Sequence, residues 1–290
     1  MKMKSDKNRL YRDVEFLTSI YPARNYLNTE SLKKVSRYIF SEFDKAGLSV
    51  EEQKWIADGQ EYQNIIASFN RDKSRRLVVG AHYDVCGDQP GADDNASAIA
   101  GLIELVRMVG KNNPGIDYRI DFVAYCLEEP PFFGSEQMGS YQHAKFLRDN
   151  NVDVIGMICL EMIGYFSDEP ESQSFPEPGM ALIYLHVANF IVVVGLDQYS
   201  KFTSQVHQSM LNGSAIDVQF INFPNMNGLA GLSDQRNYWK MGYPAVMIND
   251  TSFIRNPNYH RQSDAIETLD FDKMNEVVSS CYEAIVRFGQ

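Results

Sequence analysis

The residues of this 290-residue chain best suited to chemistry stand where short apolar runs end. Leu77-Val78-Val79-Gly80-Ala81 leads into His82-Tyr83-Asp84, and the run 118–126 leads into Leu127-Glu128-Glu129. The run 154–160 leads into Glu161, and the run through Ala245 ends in Asn249-Asp250, with His260 following. Between the first run and the next helix-like stretch lies Gly91-Ala92-Asp93-Asp94-Asn95. Taken singly, each piece has an ordinary explanation: a strand-end histidine makes a hydrogen bond, paired glutamates are solvated, and an Asp doublet caps a helix. Taken together they form an oxygen-rich set joined by two of the chain's five histidines. Carboxylates gathered in one place repel, and at least one would have to take up a proton. Divalent cations remove that conflict, since two zinc ions balance Asp94, Glu129, Glu161 and one hydroxide. Histidine and carboxylate donors with an open water position are the catalytic rather than the structural zinc pattern.

For these residues to meet, the elements carrying them must end at one edge. Helices are expected at 10–20 and 31–46, the second capped by Asn28 and Thr29 and ended by Gly47. Strands are expected at 49–55 and 63–69. From residue 76 onward, strands at 77–81, 118–126, 154–160, 190–195, 218–223 and 245–248 alternate with helices at 97–109, 137–149, 199–211 and 235–241, before a last helix at 271–288. This alternation predicts one α/β domain over 1–290, a mixed and mostly parallel β-sheet sandwiched by helices. In such sheets ligands bind beyond the carboxyl ends of the strands, where the polar groups above are found. The segments 166–180 and 222–233 are rich in Pro, Gly, Ser or Asn and read as loops rimming that edge.

Composition narrows the function. Hydrophobic residues make up 44% and charged residues 22%, an ordinary globular balance. The net charge of −11 argues against a nucleic-acid partner, because phosphate neutralisation needs a basic face. The longest apolar stretch, 180–196, is interrupted by Tyr184, His186 and Asn189, so no membrane partner is expected. No apolar segment follows the basic N-terminus as in a signal peptide, and a cytoplasmic location is expected. Cys86, Cys126, Cys159 and Cys281 lack CxxC spacing and read as free, reduced thiols with no part in the site.

The ordered set His82-Tyr83-Asp84, Gly91 to Ser97, Glu128-Glu129 with Gly134-Ser135, Glu161-Met162-Ile163-Gly164, Ser233-Asp234 and Tyr259-His260 resembles the co-catalytic zinc aminopeptidases of metallopeptidase family 28. The resemblance runs from about residue 60 to the end and extends to glutaminyl cyclases. It implies that Asp94 bridges two zinc ions, with His82 and Glu161 completing one site and Glu129 and His260 the other. It implies Glu128 as general base and Asp84 as the group that orients His82. The implied substrates are short peptides with a free N-terminus, their side chains read by Tyr165, Phe133 and neighbouring Phe132 and Phe166. Arg255 and Tyr238 are further candidate substrate or oxyanion contacts. Four departures stand out. Glu161 occupies a position where the family usually has Asp, Gln235 follows Ser233-Asp234 where many relatives have His, and 228–232 holds no hydroxyl to steady an oxyanion. Pro130-Pro131 also replaces the Gly often found after the paired glutamates. The competing expectations are a glutaminyl cyclase-like acyltransferase using one zinc, and a non-catalytic binding relative.

Overall fold

Apolar residues three or four apart make the first two helices amphipathic. In the computed structural model, which describes residues 3–288, α1 (Lys7–Thr18) buries Leu10, Val14 and Leu17, and α2 (Thr29–Lys45) buries Leu32, Val35, Ile39 and Phe43. The Asp6 carboxylate caps α1 by accepting the Asn8 and Arg9 N–H groups. Asn28 does not cap α2 through its side chain as expected. Its amide turns back to donate to the Ala23 carbonyl at 2.8 Å. Of the expected domain span, residues 1, 2, 289 and 290 lie outside the described residues.

Strands β1 (Ser49–Ala57) and β2 (Gln60–Phe69) form an antiparallel hairpin. They are followed by β3 (Arg76–His82), α3 (Ala98–Asn112), β4 (Arg119–Tyr125), α4 (Gly139–Asp149) and β5 (Val154–Glu161). The chain continues through β6 (Phe190–Leu196), α5 (Ser200–Met210), β7 (Asp217–Phe223), α6 (Gln235–Lys240), β8 (Ala245–Asn249) and α7 (Phe271–Val286). All eight strands join one sheet in the order β1-β2-β4-β3-β5-β8-β6-β7. The central four, β4-β3-β5-β8, are mutually parallel, while β2 and β6 attach antiparallel on either side. This is the mixed, mostly parallel sheet that the alternation predicts.

Because side chains alternate across a strand, β3 sends Leu77, Val79 and Ala81 to a core shared with α1, α2, α3 and α7, and Val78 to a second core with α4 and α6. Burial on both faces explains the near-continuous apolar runs of the central strands. Parallel pairing in register sets His82 beside Tyr125 and Glu161 beside Asn249, so all four central strands end at one edge. Among the described residues, no helix is long and apolar enough to cross a membrane.

Candidate metal centre

Each expected ligand comes from a strand end or the turn beyond it. His82 ends β3, Glu161 ends β5, and Glu128 and Glu129 follow β4. The backbone enters the left-handed region at Leu127 (φ 64°), Met162 (φ 46°) and His260 (φ 56°), turning the chain sharply beside the cluster. Such conformations cost roughly 1–3 kcal/mol each and persist where surrounding bonds enforce them. Around Met162 those bonds are its N–H to the Asn95 side chain (2.9 Å) and its carbonyl to the Asp250 N–H (2.9 Å). Asp94 sits at a kink within the segment Ala92–Ser97, its own backbone non-helical (φ −103°, ψ 90°), and Gly91 opens the segment at φ 62°. A Cβ at Gly91 would fall 2.4 Å from the Asp94 carbonyl oxygen, so only glycine lets this turn close.

The side chains form two triads that share Asp94. His82 Nε2 lies 3.4 Å from Asp94 Oδ1 and 3.4 Å from Glu161 Oε2. His260 Nε2 lies 3.1 Å from Asp94 Oδ2 and 3.3 Å from Glu129 Oε2. Donors tetrahedrally placed at zinc–ligand distances near 2.0–2.1 Å are about 3.3–3.4 Å apart, which these histidine–carboxylate separations match, and the donor atoms of His82, Asp94 and Glu161 all lie within 4.8 Å of one another. Asp94 Oδ1, Glu129 Oε1 and His260 Nε2 are buried without a hydrogen-bond partner, an arrangement that costs energy unless another group satisfies them. Glu128 stands beside the first triad, its Oε2 3.8 Å from His82 Nε2.

A surrounding layer of hydrogen bonds fixes these ligands. Asp84 accepts the backbone N–H groups of Glu128 (3.2 Å) and Glu129 (3.1 Å). His82 Nδ1 is closer to the Asp84 carbonyl oxygen (3.2 Å) than to its carboxylate (3.5 Å), so Asp84 orients the histidine mainly through its backbone. Asn95 and Ser233 donate to Glu161 Oε2 at 3.2 and 2.6 Å. Asp264 was not singled out in the sequence, yet its two oxygens accept the Asp93 and Asp94 N–H groups at 2.9 and 3.1 Å. No local motif marks Asp264, because its partners lie some 170 residues away in the chain. Arg24, fully buried, donates to the Tyr83 and Gly91 carbonyls at 3.0 and 2.6 Å and lends positive charge to the cluster.

The electrostatics is that of too many buried carboxylates. Burial, with Asp94 nearby, pushes Glu129 up to about 8, and burial reinforced by Glu129, Glu161 and Asp234 pushes Glu128 well above the usual range. Burial also raises Glu161 and takes Asp234 to about 7. Burial alone would depress His260, but its contacts with Asp94 and Glu129 raise it to about 10. His82 is likewise held up by Glu161 and Glu128 against its burial. Burial would raise Asp94 too, yet the two histidines hold it well below the ordinary range. The cluster therefore calls for cationic charge, which divalent ions supply without protons.

Residues 64–285, which include every group of the two triads, match peptidase family M28. The chain belongs to that family. YfbL, an uncharacterized protein of Escherichia coli K12, is 38% identical over 93% of this chain and 84% of its own length. Leucine aminopeptidase 1 of Metarhizium robertsii is 26% identical over 73% of this chain and 51% of that protein. LapB of Legionella pneumophila shares the fold with a TM-score of 0.77 over 98% of this chain and 72% of LapB, at 20% identity. A Bacteroides thetaiotaomicron glutaminyl cyclase, solved with N-acetylhistamine, gives a TM-score of 0.73 over 99% of both chains at 17% identity.

In this M28 peptidase-family chain two of the expected substrate contacts, Arg255 and Phe132, are spent on the protein's own packing. Arg255 is buried and braces the rim: its Nε donates to Gln173, its Nη1 donates to the Phe190 carbonyl at 3.0 Å, and its guanidinium lies over the Phe190 and Phe166 rings. Phe132 packs into the core beside Tyr26, and half-buried Phe133 carries the Arg236 guanidinium 4.6 Å from its ring centre. Tyr165 is half-buried, and its N–H donates to Asp250 at 3.0 Å. Tyr238 is wholly buried, its hydroxyl bonded to Tyr125 and His143. Instead, a cavity of about 120 Å³ opens against Glu161, walled by Phe190, Val192, Val194, Ile221, Phe223 and Met247. Tyr259, also on this wall, stacks on the His260 ring with centroids 3.8 Å apart. Tyr259 thus brings near the cluster a hydroxyl that the segment 228–232 lacks.

Proposed function

We propose that the chain is a zinc-dependent aminopeptidase that removes the N-terminal residue of peptides, with a preference for apolar residues. The observation that carries this reading is the pair of His–carboxylate triads sharing Asp94, with Glu128 beside them and outside both. His82, Asp94 and Glu161 would hold one ion, and Glu129, His260 and Asp94 the other. When bound, the ions supply Lewis acidity that lowers the pKa of water and polarises a carbonyl. Glu128 takes the proton of the attacking water and delivers it to the leaving amine, a role worth about 10²–10⁴ in rate. Asp84 holds the Glu128-Glu129 backbone in place for that transfer. Burial and the nearby carboxylates push the Tyr259 phenol far up, so it stays protonated and can donate to the oxygen on which charge develops. The carboxylate-rich cluster favours a cationic α-amino group, and the cavity beside Glu161 takes the side chain of the residue removed. The relatives named as leucine aminopeptidases agree with an apolar side chain there.

The test is turnover of a panel of amino-acid anilides beside N-terminal glutaminyl peptides, with zinc measured per chain. Hydrolysis of leucyl or phenylalanyl anilides with two zinc ions supports the proposal. Cyclisation of the glutaminyl peptide with one zinc would instead make the chain a glutaminyl cyclase, and neither turnover nor metal would make it a binding protein.

A further inference from the structure

Three of the four cysteines are buried, but Cys86 is partly exposed, on the loop that runs from His82 toward Asp94. Its Sγ, a carboxylate oxygen of Glu129 and a ring nitrogen of His260 all lie within 4.8 Å of one another. Both neighbours have spare capacity: Glu129, only 4% exposed, has one oxygen without a hydrogen-bond partner, and so has His260 at Nε2. The loop is tied down on both sides. The Val85 N–H donates to the Arg24 carbonyl at 3.2 Å, and the Asn25 side chain donates to the Gly87 carbonyl at 2.6 Å. The Gln262 side chain, from the segment that carries His260, donates to the Asp88 carbonyl at 2.9 Å. The other triad, His82, Asp94 and Glu161, has no sulfur in its group.

We propose that Cys86 is a further protein ligand on the Glu129–His260 side of the centre, an inference that rests on the two-ion reading above. As an ion binds there, a bond forms from Sγ to the metal and the thiol proton passes to solvent. Asp94, Glu129, His260 and Cys86 then make four protein donors, the closed set of a structural ion, whereas three donors on the other side leave a position open. The two halves are therefore unequal. The sulfur-bearing half anchors its ion and favours soft metals, and the half beside Glu128 receives solvent and substrate.

The experiment uses the full chain, stripped with a chelator and reloaded with Co²⁺ or Zn²⁺. A thiolate-to-cobalt charge-transfer band in the near ultraviolet is expected, absent in Cys86→Ser. In the unsubstituted chain, the Cys86 thiol should react measurably with a disulfide reagent before loading and at least about tenfold more slowly after zinc is added. Two bound Co²⁺ without that band, or a thiol equally reactive with and without zinc, would overturn the assignment of Cys86 and leave the two-ion centre standing. Failure to bind either metal would overturn both.

Discussion

Replacing Glu128 with Gln removes a charge and almost no volume from a side chain that is 5% exposed. Three readouts should then move independently. If Glu128 carries the proton from water to the leaving amine, kcat should fall by about 10²–10⁴, or roughly 3–5 kcal/mol in the barrier, with little change in KM. Zinc content should stay the same, because Glu128 lies outside both triads sharing Asp94. Stability of the chelator-treated protein should rise. Burial, Glu129, Glu161 and Asp234 push the Glu128 carboxyl well above its ordinary value. A raised carboxyl favours the fold at acidic pH and loses that contribution as pH climbs past its unfolded value. At pH 7–8 the neutral Gln avoids this loss, so the variant should melt no lower than the parent. Anilide turnover, metal analysis and thermal melting of the same preparation read all three. A variant that merely misfolds would lower everything together. Turnover within about tenfold of the parent would show that another group is the base, and loss of zinc would show that Glu128 is itself a ligand.

Asp264→Asn removes one of the two acceptors that seat the Asp93 and Asp94 N–H groups. Zinc affinity measured by chelator competition should weaken by about 10–100-fold, and unchanged affinity would mean that Asp94 is held by other contacts. Val194→Phe projects a ring into the cavity beside Glu161. It should lower kcat/KM for leucyl relative to alanyl anilides by about tenfold or more, and a constant ratio would place the side-chain site elsewhere. Burial pushes His143 down to about 4, against an unfolded value near 6.5. The unfolded chain therefore binds the proton first, and stability should fall as pH drops from 6.5 to 4, by at most about 3 kcal/mol. In His143→Gln, urea unfolding across that range should show a slope shallower by up to about 1.4 kcal/mol per pH unit, and an unaltered slope would contradict the assignment.

The strands and their polar ends were legible because burial on both faces leaves long apolar runs, and a charged residue that interrupts such a run stands out. His82, Glu128, Glu129 and Glu161 were found that way, and parallel pairing then brought their strand ends to one edge. His260 and Asp94 lie on turns, and only their residue types and order in the chain drew attention to them. Arg255, Phe132 and Phe166 show the converse. A cation or ring beside a motif looks like a substrate contact, but whether its hydrogen bonds are spent on the protein itself depends on partners elsewhere, such as Gln173 and Phe190 for Arg255.

Sequence alone therefore determined the α/β alternation, the types of the candidate donors and the edge at which they had to gather. Local periodicity and residue chemistry are properties of neighbouring positions. Tertiary structure decided which backbone groups the carboxylates of Asp264 and Asp84 seat, where the apolar cavity opens, and that Cys86 stands near His260. Each of these is a separation of a few ångströms between residues far apart in the chain. Such distances are set by the packing of helices and loops around the sheet, which no short stretch of sequence encodes.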